Sequence, residues 1–490
     1  MRKYAIQAIV ILLLLETAFI AMAVWNPKIR LWGNDEHAID FHFYSLGDLF
    51  ANDTITGSVA SVKVDSITEH LIKSDTLVIY ALSKTALLDS AFLPNTSELS
   101  LDTNFNSILN PSKEGVLALD NFFKSLIEER DSKLIRIAHY GDSQLEGDRI
   151  TCEIRRNLQA KFGGSGIGYL PFDDVTSCAS YTRETNGSLT RYNVFNNRFK
   201  KGADYGLSGN TFQFGIADSA NTDSIKASVS FTLNHGVSYQ RMTLLYGRSP
   251  KGFTVKVFRQ SDNELLCVKD IEATNASGIT TLELASISSS FRLEFTSIGM
   301  VDLFGLQLDS DHGVTVDNYA IRGHSGDGLM LINQQYLSKC LSSSNTHLVI
   351  FEYGNNMVPY IKSDEQCAKT QELFYRLFMK YKEAAPEASI LVIGNGDMAY
   401  KSGGVAQSYK YVRGLNDALK AAAIQANCGF WNLLDNMGGE NSILIWNEKG
   451  LATLEGHLTP KGQKIMANLI FKAIMVEYNN FVIRNFYAKK

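Results

Sequence analysis

The segment Gly141-Asp142-Ser143 has residue types that suit covalent catalysis, and it lies between two differently patterned stretches of the chain. The apolar run at 134–138 predicts a buried strand, and the one-sided apolar spacing at 148–162 predicts a helix. At a strand-to-helix turn, backbone N–H groups and the helix dipole stabilise negative charge. The position therefore favours Ser143 as a nucleophile whose reaction forms an oxyanion, although a helix cap is the simpler alternative.

Three later residues supply what a serine nucleophile needs. Asn356 follows the strand-like run 349–353, and its side-chain amide is a candidate oxyanion donor. Gly323 ends the stretch 315–323 and offers a backbone N–H as a second donor. His457 precedes the helix-start signal Thr459-Pro460 and is the candidate general base. Turns and surface positions explain each residue singly, but their order at strand and helix junctions favours acyl-transfer chemistry.

These residues resemble the sequence blocks of the SGNH (GDSL-type) hydrolases. The matching segments are Gly141-Asp142-Ser143, Gly323, Gly354-Asn355-Asn356 and His457. The resemblance covers roughly 115–171 and 305–475 and implies that Ser143 is the nucleophile and His457 the base. It also implies an oxyanion hole formed by the N–H groups of Ser143 and Gly323 and the Asn356 side chain. Further segments resemble the periplasmic peptidoglycan O-acetylesterases: the glycine-rich stretch 163–169, Phe430-Trp431, 436–439 and Trp446.

Two positions depart from the family pattern. The family usually has Asp three residues before the histidine, where this chain has Leu454, while Glu455 lies two residues before it. A one-residue deletion would align Glu455 with that Asp, so Glu455 is the expected third member of the triad; the alternative is an exposed loop carboxylate. Met357 stands where the third block commonly has an acidic residue, but that residue is outside the triad.

Two residues beside these blocks, Asp142 and His324, are candidate substrate contacts, although packing or turn roles are the simpler explanation. The stretch 323–327 does not complete a Gly-x-Ser-x-Gly motif, because its last position is Asp327. No Cys or His spacing indicates a metal site, and no glycine-rich loop has a nucleotide-binding pattern. We therefore expect neither a metal nor a cofactor.

The length of 490 residues predicts two or three domains. Alternating strand and helix patterns at 113–171 and 306–490 predict an α/β hydrolase domain of the SGNH type. In its second part we expect strands near 314–318, 347–353 and 389–394 and helices near 327–341, 364–384 and 405–427. It would be a three-layer structure with a parallel sheet and helices on both faces, and a site at the carboxyl edge of the strands. Short β-type runs with turn signals predict an inserted β-sandwich at 172–305. The esterase resemblance suggests a carbohydrate-binding-like module there, and a module that only walls the site is the alternative.

The N-terminal region predicts export. Residues 1–24 combine two basic residues with an apolar run, as in a signal peptide or a membrane anchor, and 25–112 has the composition of a membrane-proximal region. We expect a periplasmic protein attached to the inner membrane, with secretion after signal cleavage as the alternative. The formal net charge of −4 gives no electrostatic reason to expect nucleic-acid binding. The six cysteines form no recognisable disulfide framework.

Taken with the resemblance, these features predict a serine esterase that removes O-acetyl groups from a cell-envelope polysaccharide such as peptidoglycan. Its partner would be the O-acetylated glycan. One alternative uses the same acetyl-enzyme but passes the acetyl group to a glycan, which makes the protein an O-acetyltransferase served by a membrane O-acyltransferase partner. The second alternative is a non-catalytic glycan-binding protein on a decayed hydrolase fold, which the missing Asp at Leu454 would favour.

Overall fold

The structure is a computed structural model, and it describes residues 28–32, 39–42, 107–216, 223–234 and 236–487. Its contacts divide the chain into two units, residues 1–58 and 59–490. In the first unit, Lys28–Trp32 pairs with Ile39–His42 as an antiparallel ladder. The predicted signal or anchor at 1–24 and most of the predicted membrane-proximal region at 25–112 lie outside the described residues. Among the described residues, no helix has the length and apolar character needed to cross a bilayer.

The strands, numbered in chain order, are β1 (Lys28–Trp32), β2 (Ile39–His42), β3 (Ile108–Leu109), β4 (Ser112–Lys113), β5 (Val116–Leu117), β6 (Leu134–Gly141), β7 (Gly166–Leu170), β8 (Tyr181–Gly187), β9 (Thr190–Asn193), β10 (Asn210–Phe214), β11 (Ile225–Leu233), β12 (Arg241–Tyr246), β13 (Phe253–Arg259), β14 (Leu265–Ile271), β15 (Gly278–Leu282), β16 (Ser290–Ser297), β17 (Val301–Asp309), β18 (Gly313–Ala320), β19 (Thr346–Glu352), β20 (Ser389–Ile393), β21 (Ala399–Ser402), β22 (Val405–Ser408) and β23 (Gly429–Trp431). The helices are α1 (Asp120–Glu128), α2 (Thr151–Phe162), α3 (Gln334–Ser343), α4 (Asp364–Ala384), α5 (Val412–Gln425), α6 (Leu433–Met437), α7 (Ser442–Glu448) and α8 (Pro460–Val482).

The central sheet has the order β18-β6-β19-β20-β23-β3 and is parallel except for β3 at one edge. Its parallel strands are buried along almost their whole length because both faces of the sheet are covered. Ile135 and Ile137 of β6 pack with α1, α2 and α8, whereas Ala138 and Tyr140 pack with α3, α4 and α5. Alternating side chains of one strand thus reach two different cores, which confirms the predicted three-layer α/β fold.

The inserted region forms two antiparallel sheets packed face to face, as predicted. One has the order β15-β12-β17-β10-β9, with β7 also paired to β17, and the other has the order β14-β13-β16-β11-β8. Their inner faces share a core rich in phenylalanine, which includes Phe212, Phe231 and Phe295. Because β7 and β17 belong to this body, its strands extend beyond the predicted limits of 172–305 on both sides.

The sandwich is fixed to the α/β domain by a shared interior. Tyr169 and Phe304 of the sandwich lie in the same apolar core as Tyr140 and Tyr319 of the central sheet. Beside them, the buried guanidinium of Arg136 bridges two carboxylates, Asp309 of β17 at 2.5 Å and Asp317 of β18 at 2.6 Å. Buried packing together with paired charges makes the insert an integral part of the domain.

Two predicted helices begin later than the sequence pattern indicates. In the predicted helix at 327–341, a 3-10 turn at Asp327–Leu331 comes first, and α3 begins only after Asn333, whose side chain caps it by accepting the Tyr336 N–H. The helix predicted at 405–427 begins only at Val412, because residues 405–408 form β22. This strand pairs with β21 across Gly403-Gly404. Both glycines have positive φ angles, which this tight hairpin turn requires.

Candidate active site

Ser143 lies just beyond the carboxyl end of β6, the central strand of the site. Gly141 ends this strand in a tight space, where a Cβ would stand 2.5 Å from Leu145 Cδ1 and 3.1 Å from the Glu352 carbonyl oxygen. A side chain at position 141 would therefore displace the turn that carries Ser143. A short 3-10 turn, Glu146–Asp148, separates Ser143 from α2, so the turn is longer than the sequence pattern predicts.

His457 lies on the loop before α8 and faces Ser143. Its Nε2 is 3.2 Å from the Ser143 Oγ, a hydrogen-bond distance that suits proton transfer. The loop is held by a narrow turn, in which Thr453 N–H donates to the His457 carbonyl at 2.8 Å and Gly456 N–H donates to the Thr453 carbonyl at 3.0 Å. The structure thus brings together two residues that are 314 positions apart in sequence.

Gln144, which sequence reasoning missed, ties these two segments together. Its side-chain amide donates to the Gly456 carbonyl at 2.5 Å, and its Oε1 accepts the Leu458 N–H at 3.4 Å. The side chain is buried, so water competes little for these bonds. A glutamine after a serine forms no sequence pattern of its own, and only the approach of the two segments shows this contact.

Asn356 links the nucleophile turn to the turn of Gly323. Its side-chain nitrogen donates to Asp142 Oδ2 at 2.8 Å and to the His324 carbonyl at 3.1 Å. An amide nitrogen carries two hydrogens, so both have acceptors in this state. Asn356 therefore joins the residue before Ser143 to the residue after Gly323.

The Asp142 carboxylate is buried beneath this arrangement. Burial raises its pKa to about 7, and the nearby Glu352 carboxylate adds to the rise, while hydrogen bonds from Gln144 N–H and the Asn356 amide oppose it. Asp142 thus faces the protein interior and contacts Asn356, which suits positioning of the amide more than a direct contact with substrate.

The two predicted backbone donors are free to bind a ligand. Within the described part of the chain, neither the Ser143 N–H nor the Gly323 N–H donates to a protein acceptor. Gly323 has a φ of 76°, a left-handed conformation that favours glycine. The ring of Phe195, from the sandwich, lies against it, 3.2 Å from where a Cβ would stand. The insert therefore walls the site beside the second donor.

Two other predicted site residues lie elsewhere than expected. Glu455 is exposed, and among the described residues no hydrogen bond or ion pair joins it to His457. His324 is fully buried, with its ring between Phe195 and Tyr353. Its Nε2 accepts the Gly328 N–H at 3.1 Å, and burial lowers its pKa to about 4 although Asp327 opposes the change. The His324 ring is therefore neutral and faces the interior.

Comparison with known proteins was made by family models, by sequence and by structure. No family model and no curated protein matches the chain. A solved peptidoglycan O-acetylesterase is similar in structure, with 20% identity and a TM-score of 0.60 over 76% of this chain and 99% of that one. A family two carbohydrate esterase from Cellvibrio japonicus has 12% identity and a TM-score of 0.23, over 62% of this chain and 99% of that one. A GDSL-like lipase from Bacteroides thetaiotaomicron has 15% identity and a TM-score of 0.25, over 34% of this chain and 76% of that one.

The comparison with the peptidoglycan O-acetylesterase concerns the fold. It spans most of this chain and nearly all of the other. The fold predicted from the sequence, a three-layer α/β domain with an inserted β-sandwich, is thereby confirmed. Among the described residues, no group of three His, Cys, Asp or Glu side chains is arranged to hold a metal ion.

Proposed function

We propose that this protein is a serine esterase that removes O-acetyl groups from a cell-envelope polysaccharide such as peptidoglycan. The observation that carries the proposal is the 3.2 Å contact between Ser143 Oγ and His457 Nε2 at the carboxyl edge of a parallel sheet. Ligands of such sheets bind at this edge, and a serine with a histidine base is the minimal apparatus for acyl transfer.

In this mechanism, His457 Nε2 takes the Ser143 proton while Ser143 Oγ attacks the acetyl carbonyl carbon. The Ser143 N–H, the Gly323 N–H and the Asn356 amide stabilise the negative oxygen of the tetrahedral intermediate. When the intermediate collapses, the sugar oxygen leaves with the proton from His457. His457 then takes a proton from a water molecule as that water attacks the acetyl carbon on Ser143. The bond to Ser143 Oγ breaks, Ser143 Oγ regains the proton from His457, and acetic acid is released and ionises to acetate.

The substrate class rests on the fold likeness. The solved protein with a TM-score of 0.60 is a peptidoglycan O-acetylesterase, and the likeness spans 76% of this chain and 99% of that one. We extend that activity to this chain, together with an exported location and attachment to the inner membrane through residues 1–24. An O-acetylated glycan on the periplasmic side would then be within reach of the enzyme.

Transfer of the acetyl group to a glycan is the main alternative and uses the same acetyl-enzyme. In the structure, His457 is exposed and Ser143 is only half-buried. Water therefore has access to the acetyl-enzyme, which favours hydrolysis over transfer. A non-catalytic glycan-binding protein is favoured only by the exposed position of Glu455, away from any contact with His457 among the described residues.

The decisive test is acetate release from 4-nitrophenyl acetate by the wild-type protein and by Ser143→Ala. Ser325→Ala is a matched control, since Ser325 lies in the incomplete Gly-x-Ser-x motif. We expect Ser143→Ala alone to lose activity. Equal rates in wild type and Ser143→Ala would contradict the proposal. Product analysis with an acetyl donor and a glycan acceptor would then distinguish hydrolysis from transfer.

A further inference from the structure

The β21–β22 hairpin is attached to the loop that carries His457. The Ala399 N–H, at the start of β21, donates to the Leu454 carbonyl at 2.8 Å. The neighbouring Met398 side chain lies against Gly456, where a Cβ would stand 2.9 Å from Met398 Cγ. The base of the hairpin therefore lies directly beside the residue that precedes His457.

The hairpin is also firmly held on its other side. The buried carboxylate of Asp397 accepts hydrogen bonds from Ser408 Oγ at 2.9 Å and from the Ile443 N–H at 3.0 Å. These bonds tie the end of β22 and the start of α7 to one residue. The hairpin is thus a fixed part of the rim of the site.

Tyr400 presents an aromatic ring from this fixed position. Ala399 packs into the main core, so strand alternation directs the next side chain, Tyr400, away from it. The Tyr400 side chain is 40% exposed, and its ring centroid lies 4.8 Å from that of Tyr409. The Tyr400 hydroxyl accepts a hydrogen bond from Gln407 Nε2 at 2.8 Å. The Tyr400 ring thus packs against the Tyr409 ring and is oriented by the hydrogen bond from Gln407, while part of the Tyr400 side chain stays exposed to solvent.

A second exposed aromatic residue, Tyr360, belongs to a segment that shares a small apolar cluster with residues flanking the hairpin. Met398 and Tyr409 pack there with Val358 and Ile361, which follow the oxyanion residue Asn356 in the chain. Between them, Tyr360 is 75% exposed. The segment after Asn356 and the hairpin therefore each carry an exposed tyrosine, Tyr360 and Tyr400, in a region that is anchored by buried apolar residues.

We propose that Tyr400, supported by Tyr409, is a stacking platform for a saccharide ring next to the residue that bears the acetyl group. The C–H face of a pyranose ring packs well on an aromatic face by dispersion and apolar contact, and its hydroxyls stay in water. This inference rests on the proposed function, because it assigns the glycan part of the substrate to that site. The platform contacts the sugar and not the acetyl group, so it acts on polymeric substrates only.

The test compares Tyr400→Ala with Tyr400→Phe, which keeps the ring and loses only the hydroxyl. For O-acetylated peptidoglycan fragments, we expect Tyr400→Ala to lower kcat/KM by about fivefold to tenfold, mainly through KM. Tyr400→Phe should stay close to wild type, and 4-nitrophenyl acetate hydrolysis should change by less than about twofold in both. Phe486→Ala is the control for an exposed aromatic residue outside the hairpin, and it should change neither activity.

The outcomes separate this inference from the proposed function. Unchanged glycan kinetics in Tyr400→Ala would overturn the platform and leave the esterase intact, as would an equal loss on both substrates. If the wild-type protein releases no acetate from any ester, the esterase fails and the platform is tested alone by calorimetric titration with chitotetraose. Weaker binding in Tyr400→Ala by about fivefold supports the platform, and equal binding or no binding to the wild type overturns it.

Discussion

The side-chain amide of Gln144 donates to the Gly456 carbonyl across 2.5 Å, which joins the residue after the nucleophile to the residue before the base. Its carbonyl oxygen accepts the Leu458 N–H at 3.4 Å, so it contacts the residues on both sides of His457. No hydrogen bond joins Glu455 to His457 among the described residues, whereas these two bonds join the His457 loop directly to the turn of Ser143.

We expect Gln144→Ala to lower kcat for 4-nitrophenyl acetate by roughly 10- to 100-fold, because small displacements of a catalytic group are costly. Gln463→Ala is a suitable comparison, since its Nε2 bonds the Leu458 carbonyl at 3.1 Å on the same loop. That variant should keep most of its activity. A Gln144→Ala enzyme within twofold of wild type would show that the loop aligns itself.

Unlike Gln144, Glu455 is exposed, and we expect its substitution to have little effect on catalysis. Glu455→Gln removes the charge but keeps the size, and kcat should change by less than about threefold, because no bond to His457 is lost. His457→Ala, measured in the same assay, should lose nearly all activity. A loss of 100-fold or more in Glu455→Gln would mean that Glu455 reaches His457 during the reaction and completes a triad.

Asn356→Ala should lower kcat by roughly 10²–10³-fold, as expected for the loss of one oxyanion donor. At rest both amide hydrogens have protein acceptors, Asp142 Oδ2 and the His324 carbonyl, so a developing oxyanion must attract one of them. Steady-state kinetics with a small acetyl ester measures this directly, and thermal melting checks that the variant is folded. A loss below about threefold would exclude the oxyanion role.

Two strands of the central sheet, β19 and β20, could be predicted closely, because each contains a continuous apolar run that is buried on both faces. The pattern at 389–394 predicts β20, which spans Ser389–Ile393. The limits of the insert could not be predicted as closely from the sequence. The apolar residues of β17 predict a strand, but they do not indicate whether it pairs with β18 or with β12. Only the pairing with β12 in the structure assigns β17 to the sandwich.

Within the site, the order of Ser143, Gly323, Asn356 and His457 was visible because each lies at the end of a strand or the start of a helix. The Gln144 contact could not be predicted, because it joins two segments that are 312 residues apart in sequence. Its acceptor is a backbone carbonyl, and no residue type indicates where such an acceptor lies. The position of Glu455 depends on the course of a tight turn, so sequence spacing alone could not place its carboxylate relative to His457.

The charge bridge between sandwich and sheet provides a stability test. Arg136→Met would leave the buried carboxylates of Asp309 and Asp317 without their cation, and we expect a loss of about 3–5 kcal/mol in the free energy of unfolding. Arg136→Lys keeps a charge but not the two-pronged geometry and should fall between that variant and wild type. Denaturant unfolding gives these values, and a loss under about 1 kcal/mol in Arg136→Met would contradict the argument.

The buried carboxyl of Asp142 predicts how stability depends on pH. Its pKa rises from 3.8 to about 7 on folding, so between these values the folded state holds the proton more tightly than the unfolded state. The contribution of Asp142 to the free energy of unfolding is therefore greatest below pH 4 and is lost as the pH rises through 7. The side chain in Asp142→Asn cannot ionise. Between pH 4 and 8, the free energy of unfolding of the wild-type protein should therefore fall by a few kcal/mol relative to that of this variant. Unfolding free energies of both proteins across that range measure the difference. A constant difference would mean that Asp142 stays ionised in the folded protein.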